Sequence, residues 1–347
     1  MDVILENKSR PVRNRQNLVC MEDYMRGEVI QECAFNLFKA WKTMNFVLNT
    51  LKKLLPLALV LLPGGYARSS AVSSLGPAPE PQLQPTSPQA DTCTQPDPNL
   101  QIYLLMGQSN MAGRGPITET LKDAGNDRVV MLNAKGEWVP ARHPLHFDKP
   151  TVVGVGPGLS FGVAMAEANP TVRIGLVPCA VGGTSITRWQ PGAYDEPTGT
   201  HPYDDAVKRI ENAMRCGVVK GVLWHQGESD SNPADAFFYL RKLSELMGRV
   251  RTLTAQPDLP VVAGELGQFK EVYKNINTQL QKLPTEVPRT ALATSEGLTH
   301  KGDQTHFDGA SADEYGRRYA AQMLYLQGGS VPKANKSTRK ARSKNRN

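Results

Sequence analysis

Residues 102–113 read Ile102-Tyr103-Leu104-Leu105-Met106-Gly107-Gln108-Ser109-Asn110-Met111-Ala112-Gly113, and the fold follows from how they are taken. Five apolar residues with no polar alternation predict a strand buried on both faces. A glycine closes it, and a helix start follows at the serine. Similar runs recur at Val172–Val177, Val218–Trp224, Pro260–Ala263 and Thr290–Ala293. Helix-like stretches alternate with them at Gly158–Ala168, Tyr203–Arg215, Ala234–Leu253, Glu271–Leu283 and Ala310–Leu326. Strands separated by helices pair in parallel. This predicts one α/β domain over residues 100–327, a doubly wound, mainly parallel five-stranded sheet flanked by helices, flavodoxin-like in layout. Ligands of such sheets bind beyond the carboxyl ends of the strands.

The 347-residue chain carries 40 Lys and Arg against 33 Asp and Glu, a net charge of +7. That excess does not belong to the domain. Residues 333–347 hold seven bases and no acid and residues 1–68 contribute +4, which leaves −4 on residues 69–332. A folded nucleic-acid binder carries its basic footprint on the domain itself, so nucleic acid is excluded as a partner. Residues 1–43 read as an N-terminal extension. From Met44 a lysine-flanked apolar run, Leu54–Leu62, leads into Pro63-Gly64-Gly65-Tyr66-Ala67, the pattern of a secretory signal peptide over residues 44–67. Either Met44 is the true start and the protein is secreted, or the run is a signal anchor with a cytosolic head. No apolar run reaches the ~18 residues of a full membrane span, which excludes a polytopic membrane protein. Residues 68–99 form a linker, with seven prolines between Gly76 and Asn99, and residues 328–347 form a basic tail expected to be disordered.

Every polar motif falls at a strand end. Ser109 is placed to act as a nucleophile, because free N–H groups at a helix start favour a developing oxyanion. A lone serine there is as readily a helix cap. Met111 stands where the G-x-S-x-G elbow needs glycine. The stretch Gly302-Asp303-Gln304-Thr305-His306-Phe307-Asp308-Gly309 supplies Asp303 and His306, three apart. At that spacing a carboxylate can hold one imidazole nitrogen and leave the other for a serine. Gly182 and Gly183, within Cys179–Ser185, offer backbone donors, and Gln226, within Trp224–Asp230, offers a side-chain amide. In acyl transfer such donors contribute about 3 kcal/mol each. Any one motif is a turn or a cap; four at four strand ends form an acyl-transfer set. His143 and His146 form an H-x-x-H without acids or cysteines at ligand spacing, and there is no phosphate loop or dinucleotide fingerprint. No metal and no cofactor are therefore expected. Arg188 and Trp189 either line a sugar site or anchor a loop. Cys179 and Cys216 either form a disulfide, leaving Cys93 unpaired, or Cys179 is a small buried thiol.

Taken in order, G-Q-S-N-M at Gly107–Met111, C-A-x-G-G-T at Cys179–Thr184, W-x-Q-G-E-S-D at Trp224–Asp230 and D-x-x-H at Asp303–His306 resemble the blocks of the SGNH hydrolases. Within that superfamily they are similar to the sialate O-acetylesterase-like branch and carbohydrate esterase family 6. The resemblance spans about residues 100–326, and the K-G-V-L-W lead-in at Lys220–Trp224 is similar to that of plant-type members. It implies Ser109 as nucleophile, His306 as base and Asp303 as orienter. It also implies an oxyanion hole from the backbone of Ser109, that of Gly182 or Gly183 (Gly182 preferred), and the Gln226 side chain. Asn110, Arg188 and Trp189 become candidate substrate contacts, and Glu228, Ser229 and Asp230 supports. The implied activity is removal of acetyl groups from a carbohydrate, such as cell-wall xylan, by a monomeric serine esterase. A lipase or thioesterase on the same scaffold, and a non-catalytic carbohydrate-binding wall protein, are the alternatives.

Overall fold

A computed structural model describes Cys93 and residues 95–328. The N-terminal extension, the signal-like segment, most of the proline-rich linker and nearly all of the basic tail lie outside the described residues. The chain runs β1 (Asp97–Gly107), α1 (Ser109–Ala112), α2 (Glu119–Lys122), β2 (Val129–Leu132), β3 (Trp138–Pro140), α3 (Gly158–Ala168), β4 (Arg173–Pro178) and α4 (Pro202–Met214). It continues through β5 (Gly217–His225), α5 (Pro233–Phe237), α6 (Tyr239–Leu253), β6 (Val261–Gly264), α7 (Lys274–Leu280), α8 (Leu283–Glu286), β7 (Thr290–Ala293) and α9 (Gly309–Leu326).

Alternation along β1 builds two cores. Ile102, Leu104 and Met106 face one layer with Ile210 of α4 and Leu243 and Met247 of α6. Tyr103 and Leu105 face the other, with Phe161 of α3 and Tyr315, Tyr319 and Met323 of α9. All five strand residues are fully buried. A strand whose alternate side chains both meet helices reads as a continuous apolar run, which is what residues 102–106 show. Burying side chains of this size contributes roughly 1.5–3 kcal/mol each.

The sheet order is β3-β2-β4-β1-β5-β6-β7, parallel except for β3. It has seven strands rather than five: the expected set is the contiguous block from β4 to β7. The two additional strands have 4 and 3 residues, too short to show a period. Edge position explains why β3 tolerates Pro140. The expected helix over Glu271–Leu283 is α7 and α8, because Pro284 has no N–H to continue one helix and begins the next. Chain order reverses at β1, which has β4 on one side and β5 on the other. The crevice beyond its carboxyl end is therefore the topological switch point.

Cys216, just before β5, is bonded to Cys93, 123 residues earlier, instead of to Cys179. Cys179 is the buried free thiol of the second reading; burial pushes its pKa up to about 12. Among the described residues no helix is long and apolar enough to cross a membrane.

Candidate active site

Ser109 follows β1 at the switch point. Gly107 allows the turn with φ +131°, and any side chain there would run into the His225 carbonyl of β5. The β4 loop is drawn alongside as the Val181 N–H donates to the Gly107 carbonyl at 3.0 Å. His306 arrives on the loop between β7 and α9, whose first turn is capped by Asp308 accepting from the Ser311 N–H at 2.8 Å.

The geometry joins three of the residues singled out from the sequence. His306 Nδ1 lies 2.7 Å from Asp303 Oδ2, and His306 Nε2 lies 3.0 Å from Ser109 Oγ. Asp303 Oδ1 accepts the main-chain N–H groups of Thr305 at 2.9 Å and His306 at 2.8 Å. Slight burial raises the carboxyl pKa, but these N–H donors and the imidazole outweigh it and hold the group well below the usual carboxylate range. A charged carboxylate can only accept, so Nδ1 carries the proton and Nε2 of the neutral ring is left to accept from the serine hydroxyl. Ser109 is 7% exposed, so its hydroxyl sits just beneath the surface.

The donors proposed for an oxyanion are distributed differently from the expectation. The Gly182 N–H donates to Asp148 Oδ2 at 2.8 Å and is committed there. Gly183, exposed and at φ +89°, has an N–H with no acceptor among the described residues, as does Ser109. Gln226 is fully buried, and its Nε2 lies 2.6 Å from Asp230 Oδ2, 3.0 Å from Gln108 Oε1 and 3.0 Å from the Thr184 carbonyl. Two hydrogens already facing three acceptors leave none for a ligand, so Gln226 is a strut beneath the site. Asp230 also accepts the Ile186 N–H at 2.9 Å, and burial raises its pKa despite these bonds.

Two of the three proposed substrate contacts point inward. Asn110 donates to Glu228 Oε1 at 2.5 Å and to the Thr305 carbonyl at 3.0 Å, and accepts the Phe307 N–H at 3.2 Å. Trp189 is fully buried, edge-on to Trp224 at 5.2 Å, with Nε1 donating to Thr184 Oγ1 at 3.2 Å. It offers no face to a pyranose and is the loop anchor. Arg188 remains exposed beside Asp195, its Nη1 donating to the Tyr194 carbonyl at 3.1 Å. The Glu228 side chain is buried; burial raises its pKa, but His225 and Asn110 lower it further, so it stays charged.

Residues that the motifs did not flag complete the surroundings. Arg114 and Asp148 form a buried ion pair at 2.7 Å under the Gly182–Gly183 turn. Lys270 Nζ donates to Thr305 Oγ1 at 3.0 Å. This ties the His306 loop to the rim of a cavity of about 500 Å³ lined by Glu265, Phe269, Lys270 and Tyr273. No local signal marks Asp148, since its role depends on a backbone N–H more than thirty residues away.

A mainly parallel sheet carrying a serine, a histidine and a carboxylate at its switch point is the architecture of an SGNH-type hydrolase. Residues 99–325 match the family described as carbohydrate esterase, sialic acid-specific acetylesterase; the chain belongs to that family and is a carbohydrate acetylesterase. It is similar to a probable carbohydrate esterase of Arabidopsis thaliana, 33% identical over 251 residues, which are 66% of this chain and 92% of the relative. The crystal structure from Arabidopsis thaliana superposes with a TM-score of 0.59 at 31% identity, over 66% of this chain and 99% of that one. NanS shares the fold at 20% identity with a TM-score of 0.53, over 67% of this chain and 98% of its own.

Proposed function

We propose that Ser109 is the nucleophile that removes acetyl groups from an acetylated cell-wall polysaccharide such as xylan. The observation that carries this is the Ser109–His306–Asp303 relay, with contacts of 3.0 and 2.7 Å. As the Ser109 Oγ attacks the acetyl carbonyl, Nε2 of His306 takes the hydroxyl proton, and Asp303 steadies the imidazolium. The N–H groups of Ser109 and Gly183, which have no acceptor within the described residues, would donate to the tetrahedral oxygen. As the bond from the acetyl carbon to the sugar oxygen breaks, His306 returns the proton to that oxygen, and water then releases acetate from the acyl-serine.

The serine hydroxyl meets His306 with Asp303 behind it, a polar setting that favours a short acetyl group over the long acyl chain of a lipase substrate. A non-catalytic wall protein would have no use for the whole relay. Arg188, exposed beside Asp195, is the residue we assign to the sugar, and the cavity beside Lys270 offers surface to neighbouring sugar units. The Cys93–Cys216 disulfide supports a secreted protein, because such bonds persist in oxidising compartments.

Acetate release from acetylated xylan, pectin, mannan and sialic acid tests the substrate, with Ser109→Ala as the control. Fastest release from xylan supports the assignment; preference for sialic acid replaces the substrate but keeps the chemistry. Turnover by Ser109→Ala would remove the mechanism.

A further inference from the structure

We propose that the buried Arg114–Asp148 pair is a positioning device that locks the Gly182–Gly183 turn to the segment carrying Ser109, and so sets the spacing of the two oxyanion donors. The inference rests on the serine-esterase reading above.

A continuous chain of bonds connects the two sides. The Gly113 N–H donates to the Ser109 carbonyl at 2.9 Å, and Arg114 Nη1 donates to the Gly113 carbonyl at 2.7 Å. Arg114 Nη2 meets Asp148 Oδ2 at 2.7 Å, and that same oxygen accepts the Gly182 N–H at 2.8 Å. The loop that presents Asp148 is itself stitched to the nucleophile segment: Gly154 N–H donates to the Gly113 carbonyl at 3.1 Å, and Gly115 and Val155 exchange main-chain bonds at 3.1 and 2.8 Å. There is no slack at the far end, because a side chain on Gly182 would run into Arg114 Nη2 and come within 3.0 Å of Asp148 Oδ2.

Two physical consequences follow. With the Gly182 N–H drawn onto Asp148, the next donor along the turn, the Gly183 N–H, is the one left unpaired. Secondly, a bare carboxylate one residue from that donor would oppose negative charge growing on a substrate oxygen. Arg114 cancels it. The side chains are 4% and 3% exposed. A buried pair of this kind adds little net stability compared with apolar side chains of similar volume, so its value lies in the geometry it imposes.

The test uses Arg114→Met/Asp148→Leu, which removes both buried charges together, alongside Asp148→Asn, which keeps an oxygen to accept the Gly182 N–H. Steady-state hydrolysis of 4-nitrophenyl acetate is measured with inhibition by methylboronic acid, whose tetrahedral serine adduct needs the same donors. For the double variant we expect kcat to fall by roughly ten- to hundredfold with KM little changed, and boronate affinity to fall in proportion to kcat. Asp148→Asn should lose less of both. A folded double variant with wild-type kcat and boronate affinity overturns the proposal. If that variant does not fold, Asp148→Ala, which removes the acceptor of the Gly182 N–H, decides, and wild-type kcat and boronate affinity there overturn it equally. Ser109→Ala in the same assay separates the layers: activity remaining in it sinks the esterase reading, whereas a silent Ser109→Ala beside a fully active pair variant sinks the positioning role alone.

Discussion

The side-chain amide of Asn110 grips the main chain on both sides of His306. Its Nδ2 donates to the Thr305 carbonyl at 3.0 Å, and its Oδ1 accepts the Phe307 N–H at 3.2 Å. Ser109 and His306 are 197 residues apart in the chain, so their 3.0 Å contact depends on such a clamp. The same Nδ2 reaches Glu228 at 2.5 Å, which adds the β5 loop to the junction.

Asn110→Ala should therefore misplace His306 without touching substrate. We expect kcat on a small acetyl ester to fall by about ten- to hundredfold with KM nearly unchanged, as for a misaligned reacting group. A proportionate rise in KM would instead return Asn110 to substrate contact.

Gln226→Ala separates a strut from an oxyanion donor. As a strut with three acceptors gathered around one amide, its loss should lower unfolding free energy by roughly 1–3 kcal/mol as well as activity. Denaturant melts decide; a large kcat loss with unchanged stability would mean that Gln226 donates to the reacting oxygen.

Stability should decline as pH falls from about 6.5 towards 4. His143 and His146 are held down at about 4, chiefly by burial, against 6.5 for a free imidazole. The unfolded chain then gains protons that the folded one refuses, so stability is full above the unfolded pKa and is lost as pH drops through that window. Asp303 and Glu228, both depressed, extend the loss below about 4.5. Thermal midpoints across pH 4–8 measure this, and His146→Gln should flatten the upper part of the slope.

Reducing the Cys93–Cys216 bond should cost about 5 kcal/mol, since it closes a loop of 123 residues in the unfolded chain. Urea titrations with and without reductant, and with Cys216→Ser, check it. Cys179 should resist alkylation until the protein unfolds, being 1% exposed.

What the sequence disclosed was what local pattern encodes. The run at Ile102–Met106 announces a doubly buried strand, and Asp303 and His306 announce a pair because three residues suffice to bring them together. Other features required the third dimension. β2 and β3 are too short to carry a period, and β3 has β2 as its strand partner at the sheet edge. Trp189 looks like a sugar platform until its burial edge-on against Trp224 is seen. Gly182 and Gly183 are equivalent as letters; Asp148, from another loop, tells them apart. Disulfide connectivity likewise cannot be read from cysteine spacing.

The central claim is that Ser109 becomes covalently acylated with His306 as its base. Labelling with a fluorophosphonate, followed by peptide mass spectrometry, tests it most directly. We predict a single adduct on Ser109, formed in step with loss of acetate release and greatly slowed in His306→Ala. An enzyme that is inactivated with the adduct on another residue, or that remains active with Ser109 fully labelled, would contradict the account.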